Sequence, residues 1–290
     1  MKRPLLRKAG EALAFLALLL AAGIFPGCTH QRFLKVPEMS EVGVLELVAE
    51  IKGRDLVFVG EVHTRMAHHE LQLKVIRALK EAGAGFAIGL EMFRAEDQAS
   101  LDRWVGADMG EDEFRKVYAR NWLVPWPQYR EIFLYAKEKR IPLVGLNVSR
   151  KIIHKVFKNG FAALGPEELS ELPQGLTCDI DQEYEEFIRG AMEEHAMEDS
   201  SFKNFCEAQM VWDAGMAKRA VEYLNESPGL KMVILAGGGH SWKRGIPSQI
   251  ERRSRFTSVV ILPEESKRIA FETITAKDAD YVWVEEWSLR

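Results

Sequence analysis

The sequence contains little cysteine. Only Cys28, Cys178 and Cys206 occur among its 290 residues. Two cysteines beyond the N-terminal region cannot build the disulfide framework of a small secreted scaffold, so that class is excluded. Cys178 and Cys206 either pair in an oxidising compartment or are two separate small buried residues, and the sequence leaves both possibilities open.

The sequence also lacks the motifs and the charge of nucleotide-binding and nucleic-acid-binding proteins. Neither GxGxxG nor a P-loop lysine pattern is present, so the glycines at 237–239 do not indicate a phosphate-binding loop. These glycines permit a close backbone approach or positive φ before His240. The formal net charge is −4, and an acidic chain is poorly suited to binding nucleic acid.

The N-terminal residues predict export. The apolar run of residues 12–25 is shorter than the roughly 20 residues of a membrane span, and basic residues precede it, as in secretory signals. The run leads into FPGC, so residues 1–27 resemble a bacterial lipoprotein signal peptide, with Cys28 as the lipidated first residue of the mature chain. An ordinary cleaved signal followed by an incidental cysteine is the alternative.

Removal of residues 1–27 defines the mature protein. It leaves 263 residues with a formal net charge of −7, because the removed segment holds four basic residues and one acidic residue. This length suits one large α/β domain with additions. Membrane association is then expected through the lipid rather than through a basic surface. The resemblance to lipoprotein signals implies sorting to the outer membrane, because Thr29 rather than an aspartate follows the cysteine, so the predicted location is the bacterial cell envelope.

Beyond a tether at residues 28–40, apolar runs alternate with helical patterns. Continuous apolar runs predict strands of a mostly parallel sheet that is buried on both faces. We predict an α/β fold for residues 41–290, with helical insertions at about 94–126 and 149–228 that form a cap over one end of the sheet. The alternating tail segments 268–274 and 281–287 predict an antiparallel pair at one edge. The predicted strands are 56–59, 85–93, 141–148, 231–240 and 256–262, and the predicted helices include 41–53, 66–82, 127–139 and 202–224.

Polar side chains follow four of these strands. Glu61 and His63 follow the first strand, Glu91 ends the second, Asn147 ends the third and His240 ends the fourth. Ligands of open parallel sheets bind outside the carboxyl ends of the strands, so we expect these side chains to share one rim. Carboxylates and imidazoles there can activate water or bind a divalent metal, for which Glu61, His63 and His240 are the candidate ligands.

Each of these residues also has a purely structural explanation. Glu61 could pair with a neighbouring helix, and His63 could be a satisfied core histidine. His68 lies on the apolar stripe of its helix, and His69 has the alternative of an exposed position in the first turn. Glu91 needs a cation, a histidine or a metal beside it, because an unpaired buried carboxylate is costly.

A second polar pair interrupts an apolar helix face. Gln209 and Asp213 lie one turn apart on the helical line that also contains Phe205 and Met216. The pair is either part of the site or a buried hydrogen-bond network.

Five segments carry a resemblance to a known family: VGEVHTRMAHH, GLEMF, IPLVGLN, FCEAQMVWDAGMA and AGGGHSWKRGIP. Together they resemble the ChaN-like haem-binding lipoproteins of the Tiki superfamily, over roughly residues 40–262. The resemblance implies a surface-anchored protein of iron uptake that binds haem without covalent attachment. It allows for a homodimer enclosing two haems and for an outer-membrane haem transporter as partner. The absence of CxxCH agrees with non-covalent binding.

The resemblance also implies residue roles. Members of the wider superfamily use four matching positions in hydrolytic sites: Glu61, His63, Glu91 and His240. For haem it implies a tyrosine ligand to the iron with a histidine nearby. Tyr129 is the preferred tyrosine and Tyr184 the alternative, although packing would explain either. The further candidate haem-binding residues are His68, His69, Asn147, Gln209, Asp213, Gly238 and Gly239.

The resulting interpretation is a lipid-anchored haem-binding protein. The alternative is a metal-dependent or general-base hydrolase that uses the Glu/His cluster, and a third possibility is an envelope scaffold in which the cluster is only structural. The residue types alone favour the hydrolase, because carboxylates and imidazoles at strand ends activate water better than they hold a porphyrin. The lipoprotein signal and the five-segment resemblance favour haem binding.

Overall fold

The computed structural model describes residues 32–178, 180–191, 199–265 and 273–285. The predicted signal peptide and its lipidation site, Cys28, lie outside these ranges, as do residues 268–272 of the first predicted tail strand. Within the described ranges, no helix is both long and apolar enough to cross a bilayer. No disulfide joins Cys178 to Cys206.

In the described part of the chain, eight strands form one mixed sheet. They are β1 (Arg32–Lys35), β2 (Ser40–Val42), β3 (Leu56–Glu61), β4 (Phe86–Arg94), β5 (Leu143–Asn147), β6 (Lys231–Gly237), β7 (Ser258–Pro263) and β8 (Tyr281–Val284). Their order across the sheet is β2-β1-β8-β7-β3-β6-β4-β5. The strands β3 to β8 run parallel, whereas β1 is antiparallel to both β2 and β8. The predicted α/β class, with a mostly parallel sheet that is mixed at one edge, is confirmed.

Helices cover both faces of the sheet. They are α1 (Val44–Ile51), α2 (Met66–Glu81), α3 (Gln98–Val105), α4 (Glu111–Asn121), α5 (Trp126–Glu138), α6 (Arg150–Asn159), α7 (Pro166–Ser170), α8 (Gln182–Ala191), α9 (Asp199–Glu226), α10 (Gly238–Ser241) and α11 (Ile246–Glu251). Two short 3₁₀ turns, Ala95–Asp97 and Phe161–Ala163, occur beside them.

The side chains of each central strand divide between two cores. In β3, Val57 and Val59 pack with residues of α1, α2 and α5, whereas Leu56 and Phe58 pack with residues of α9 and α11. All four residues are at most 2 % exposed. Because both faces are covered, the strand needs an apolar residue at every position, which explains the continuous apolar run in the sequence.

The edge of the sheet differs from the prediction in its pairing. The tail segment at 281–284 is a strand, but β8 runs parallel to β7, and its antiparallel partner is β1. The strand β1 lies in the segment expected to be a tether, and β2 extends into the start of the predicted helix 41–53. Phe33 and Val42 bury their side chains there. Two isolated apolar residues make no alternating pattern, so the sequence did not indicate these strands.

Both predicted insertions are helical and meet at the carboxyl end of the sheet. The first supplies α3 and α4, and the second supplies α6 to α9. In the second, α6 and α9 pack through a small core of their own, in which Ile152, Val156 and Val211 are buried. Residues of both insertions enclose a cavity next to the ends of β3, β4 and β5. These helices are the predicted cap.

Candidate functional site

The carboxyl ends of four parallel strands bring the predicted polar residues together. Glu91 links β4 to both of its neighbours. Its Oε2 accepts the Gly237 backbone N–H at 2.6 Å, and its backbone carbonyl accepts the Asn147 side-chain amide at 2.5 Å. A Cβ added at Gly237 would lie 3.0 Å from His63 Cε1. The glycine therefore allows β6 to end directly against the polar cluster.

Acids and imidazoles alternate across this rim in a continuous series that we call the acid–imidazole chain: Asp213, His240, Glu91, His63 and Glu61. His240 Nδ1 lies 2.6 Å from Asp213 Oδ1, and His63 Nδ1 lies 2.7 Å from Glu61 Oε1. The Nε2 atoms of both histidines flank Glu91 Oε1, at 3.7 Å for His240 and 3.8 Å for His63. Four of the five residues are buried, whereas the His63 side chain is 37 % exposed. His63 is therefore the solvent-exposed member of the acid–imidazole chain.

Three further side chains surround the Glu61 carboxylate, and two of them hydrogen-bond to it. The Tyr129 hydroxyl donates to Oε1, and the Gln72 amide donates to Oε2 at 2.7 Å. His69 Nε2 lies 3.5 Å from the same Oε2. Gln72 was not predicted from the sequence. The pattern that could have indicated it is a glutamine one turn after His69 on the buried side of an amphipathic helix.

Neighbouring charges set the protonation of the acid–imidazole chain. Burial lowers the pKa of His63, but the carboxylates of Glu91 and Glu61 outweigh burial and raise that pKa to about 9. Burial likewise opposes the charged form of His240, and Glu91 and Asp213 reverse this and raise its pKa. Burial raises the pKa of Asp213 to about 6, although His240 acts against it. The acids beside His63 and His240 therefore favour the imidazolium form of both rings.

Glu61 is the anionic end of this series. Burial favours its neutral form, but the hydrogen bond and the charge of His63 outweigh burial and lower the pKa of Glu61. The carboxylate is thus stabilised by a cation on one oxygen and by neutral donors beside it.

His68 and His69 support the site from behind. His68 Nδ1 accepts the Val62 backbone N–H at 2.8 Å, and burial lowers the pKa of His68 to about 4. The ring of His69 packs on Tyr129, with 4.0 Å between centroids. His69 is only 2 % exposed, so it is not the exposed first-turn histidine of the alternative explanation. His68 therefore fixes the turn that carries Glu61 and His63, and His69 packs behind it.

A cavity of about 600 Å³ lies beside the exposed end of the acid–imidazole chain. His63 is the one residue of the acid–imidazole chain that lines this cavity. Its walls are mainly apolar and include Trp122, Leu123, Val148, Ile153, Phe157 and Phe205. Its polar lining residues include Arg94, Asn121, Asn147, Arg150, His154 and Gln209. Leu123 is 92 % exposed and Phe157 is 42 % exposed. The cavity is therefore an apolar chamber with a few polar groups, a composition typical of small-molecule sites.

A family model described as haem-binding uptake, Tiki superfamily, ChaN matches residues 47–250. This chain belongs to the ChaN family. Its sequence matches no curated protein.

Solved structures share the fold of this ChaN-family protein. ChaN of Campylobacter jejuni, in a structure of cofacial haem binding, has a TM-score of 0.70 and 21 % sequence identity, covering 88 % of this chain and 97 % of that chain. An erythromycin esterase mutant, EreC, in its open conformation has a TM-score of 0.50 and 15 % identity, covering 80 % of this chain and 76 % of that chain. At these identities the similarity establishes the common architecture.

The candidate haem-binding residues of the ChaN-family protein divide into three groups. Asn147 and Gln209 line the cavity. Gly238 and Gly239 lie in α10, directly after β6, and do not line it. The other candidates are buried behind the cavity and surround the acid–imidazole chain or belong to it: His68, His69, Tyr129 and Asp213.

Neither tyrosine suggested as the iron ligand lines this cavity. Tyr129 is fully buried and donates its hydroxyl to Glu61. Burial and the charge of Glu61 raise the pKa of Tyr129 far above its usual range, which disfavours a phenolate. Tyr184 lines a smaller cavity of about 190 Å³ with Asp213 and Arg244. Burial raises the pKa of Tyr184 in the same way.

The cavity-lining residues of α6 were not predicted from the sequence. Arg150, Ile153, His154 and Phe157 all contribute to the lining. The available signal was a second apolar pair, Ile153 and Phe157, on a helix whose other apolar residues already form its core-facing side.

The predicted metal ligands Glu61, His63 and His240 lie in the acid–imidazole chain. Within the described residues, no three side chains from His, Cys, Asp and Glu are arranged to hold a metal ion. Glu61 and His63 are instead hydrogen-bonded to each other, and His240 is bonded to Asp213.

Proposed function

We propose that this protein binds haem non-covalently in the cavity at the carboxyl end of the sheet. Membership of the ChaN family, described as haem-binding uptake, carries the proposal. The cavity suits haem in size and chemistry. Its volume of about 600 Å³ lies within the usual range of small-molecule sites, and it combines aromatic walls with imidazole and guanidinium groups.

The exposed apolar residues at the cavity mouth support a large apolar ligand. Leu123 is 92 % exposed, beside Trp122, and Phe157 on α6 is 42 % exposed. Contiguous apolar surface in contact with water commonly marks a binding site. A porphyrin lying between these residues would remove their side chains from water, and this burial would contribute to affinity.

The wider role that we propose is haem uptake for iron at the bacterial envelope. The lipoprotein-like signal before Cys28 supports anchoring by lipid, with Thr29 supporting the outer membrane. An outer-membrane haem transporter and a second copy of this chain are the proposed partners. Mass spectrometry of the N-terminal peptide from membranes tests the anchor. A diacylated or triacylated Cys28 is expected, and an unmodified mature terminus would contradict it.

Titration with haemin, followed by the Soret band, tests the binding function. The mature chain without its lipid should saturate at one haem per chain. Gln209→Trp, which places a large side chain into the cavity from a half-buried lining position, should weaken binding at least about tenfold, because overpacking removes the space for the ligand. Ala119→Trp, on an exposed position of α4 outside this cavity, should bind haemin like the unaltered chain. A spectrum identical to free haemin at equimolar protein would refute the proposal.

A hydrolase is the second candidate function, and the acid–imidazole chain favours it. His63 lines the cavity, its Nδ1 is held by Glu61, and its Nε2 points towards Glu91. This is the arrangement of an oriented proton donor or acceptor. Because the pKa of His63 is raised to about 9, base catalysis by His63 would increase up to that pH. Ester and amide substrates, assayed from about pH 6 to pH 10 with His63→Gln as reference, test it. Equal rates for both proteins would exclude this role.

A further inference from the structure

We propose that α6 supplies both the iron ligand and the carboxylate partner for haem, with His154 binding the iron and Arg150 pairing with a propionate. This inference rests on the proposed haem-binding function and assigns that site to residues of one helix. It differs from the tyrosine ligand implied by the family resemblance.

The cavity-facing residues of α6 form a single stripe. Arg150, Ile153, His154 and Phe157 have the spacing i, i+3, i+4, i+7, so they lie on one side of the helix, and all four line the cavity. The core-facing side is separate, because Ile152 is 1 % exposed and Val156 is fully buried. Within the stripe, Ile153 also packs against the core shared by α6 and α9, and Phe157 contacts Phe205, whereas the His154 side chain is exposed.

His154 is the available imidazole of this cavity. Its side chain is exposed and has no hydrogen-bond or ion-pair partner among the described residues. The other cavity-lining imidazole, His63, directs Nδ1 to Glu61 and Nε2 towards Glu91. His63 Nδ1 is hydrogen-bonded within the acid–imidazole chain, and its Nε2 lies 3.8 Å from a carboxylate oxygen of that chain. His154 has no acidic neighbour of this kind among the described residues, so one of its ring nitrogens can donate its lone pair to iron.

The two arginines of the cavity differ in their pairing. Arg94 is held by Glu96, at 2.6 Å, and by Asp97, at 3.5 Å. Arg150 donates to the Asn121 backbone carbonyl at 2.8 Å and has no acidic partner among the described residues. A guanidinium prefers a carboxylate, with which it can form two parallel hydrogen bonds. Arg150 therefore has a charge that an anionic group of the ligand can satisfy.

The spacing of these groups defines the ligand class. Arg150 and His154 are separated by about 6 Å along the helix, since each residue rises 1.5 Å. Ile153 and Phe157 provide apolar surface on the same stripe. A matching ligand has a flat apolar body, a metal open to an imidazole, and a carboxylate within one side-chain length of that metal. Haem has all three features.

The iron ligand is tested by spectroscopy of His154→Gly. Loss of the ligand should change the ferric electron paramagnetic resonance spectrum and weaken haemin binding at least about tenfold, by analogy with losses at metal sites. Added imidazole should restore the spectrum of the unaltered protein. His154→Gln provides the same test if the glycine destabilises α6. Lys158→Gln, on the same helix but outside the cavity lining, should retain the original spectrum.

The propionate partner is tested by comparing haemin with haemin dimethyl ester. Arg150→Gln should bind haemin about fivefold more weakly, the magnitude expected for a solvent-accessible ion pair, and should bind the ester like the unaltered protein. Lys151→Gln, an exposed cation next to Arg150 that does not line the cavity, is the control and should show neither change.

Distinct outcomes separate this inference from the proposed function. If the unaltered protein does not bind haemin, the haem-binding function itself fails. If it binds haemin but His154→Gly and His154→Gln keep its spectrum, His154 is not the ligand, and loss of a phenolate signature in Tyr129→Phe would assign the iron to that tyrosine. If Arg150→Gln weakens haemin and its ester equally, the propionate pairing is refuted.

Discussion

Replacing His68 by leucine should separate a structural histidine from those facing the cavity. His68 is 2 % exposed, and its Nδ1 accepts the Val62 backbone N–H at 2.8 Å, in the turn between β3 and α2. Leucine has no acceptor, so His68→Leu leaves this N–H without its partner. We expect the free energy of unfolding to fall by about 1–3 kcal/mol at neutral pH.

The same substitution should also change the response to acid. Burial, with a contribution from the charge of Arg65, lowers the pKa of His68 from its ordinary 6.5 to about 4. Between these values the unfolded chain binds a proton that the folded chain does not bind, so stability is lost as the pH falls from 6.5 towards 4. For these two pKa values, the linkage relation gives a loss of about 2 kcal/mol between roughly pH 7.5 and pH 5.

Urea unfolding followed by circular dichroism, at about pH 7.5 and pH 5, measures both effects. His68→Leu should be less stable at the higher pH and should lose about 2 kcal/mol less than the unaltered protein on acidification. Contributions from His69 and the other titrating groups are present in both proteins and cancel. Glu70→Leu, an exposed position of the same helix, is the control. Equal acid losses in His68→Leu and the unaltered protein would refute the assignment of a buried neutral imidazole.

Two further predictions concern the strand ends. Gly145→Ala should destabilise the protein by about 1–3 kcal/mol in the same unfolding assay, because the added Cβ would lie 2.5 Å from the Arg94 carbonyl oxygen. Gly53→Ala is the control and should not destabilise the protein, because a Cβ there meets nothing within 4 Å. Equal effects of the two substitutions would contradict the packing argument. In nuclear magnetic resonance titrations His63 should show a pKa of about 9 that decreases in Glu91→Gln, because the negative charge of Glu91 contributes most to raising it. An unchanged pKa would show that this carboxylate does not act on His63.

Much of the fold could be predicted because the sheet is buried on both faces. In β3 and β6 every interior position is apolar, so each strand appears as a continuous run, and its carboxyl end marks the rim directly. The same reasoning was insufficient for β1, where Phe33 is the one residue of four that is buried. A strand with a single buried residue carries no periodic signal, and its place in the sheet depends on pairing with β8.

The candidate site was predictable in its residue types and less so in its contacts. Glu61, Glu91 and His240 follow strands, so topology places them at one rim. The link to Asp213 depends on the orientation of α9, which is distant in sequence from His240. Likewise, Tyr129 lies on an ordinary amphipathic helix, and only the packing of α5 directs its hydroxyl to Glu61. Local patterns do not encode such tertiary orientations.

The most direct test is diffraction from crystals of the protein grown with haemin, with data collected at the iron absorption edge. The proposed function predicts an anomalous peak inside the cavity between α6, α9 and the ends of β4 and β5. An ordered haem with its iron peak outside that cavity would contradict the proposed binding site.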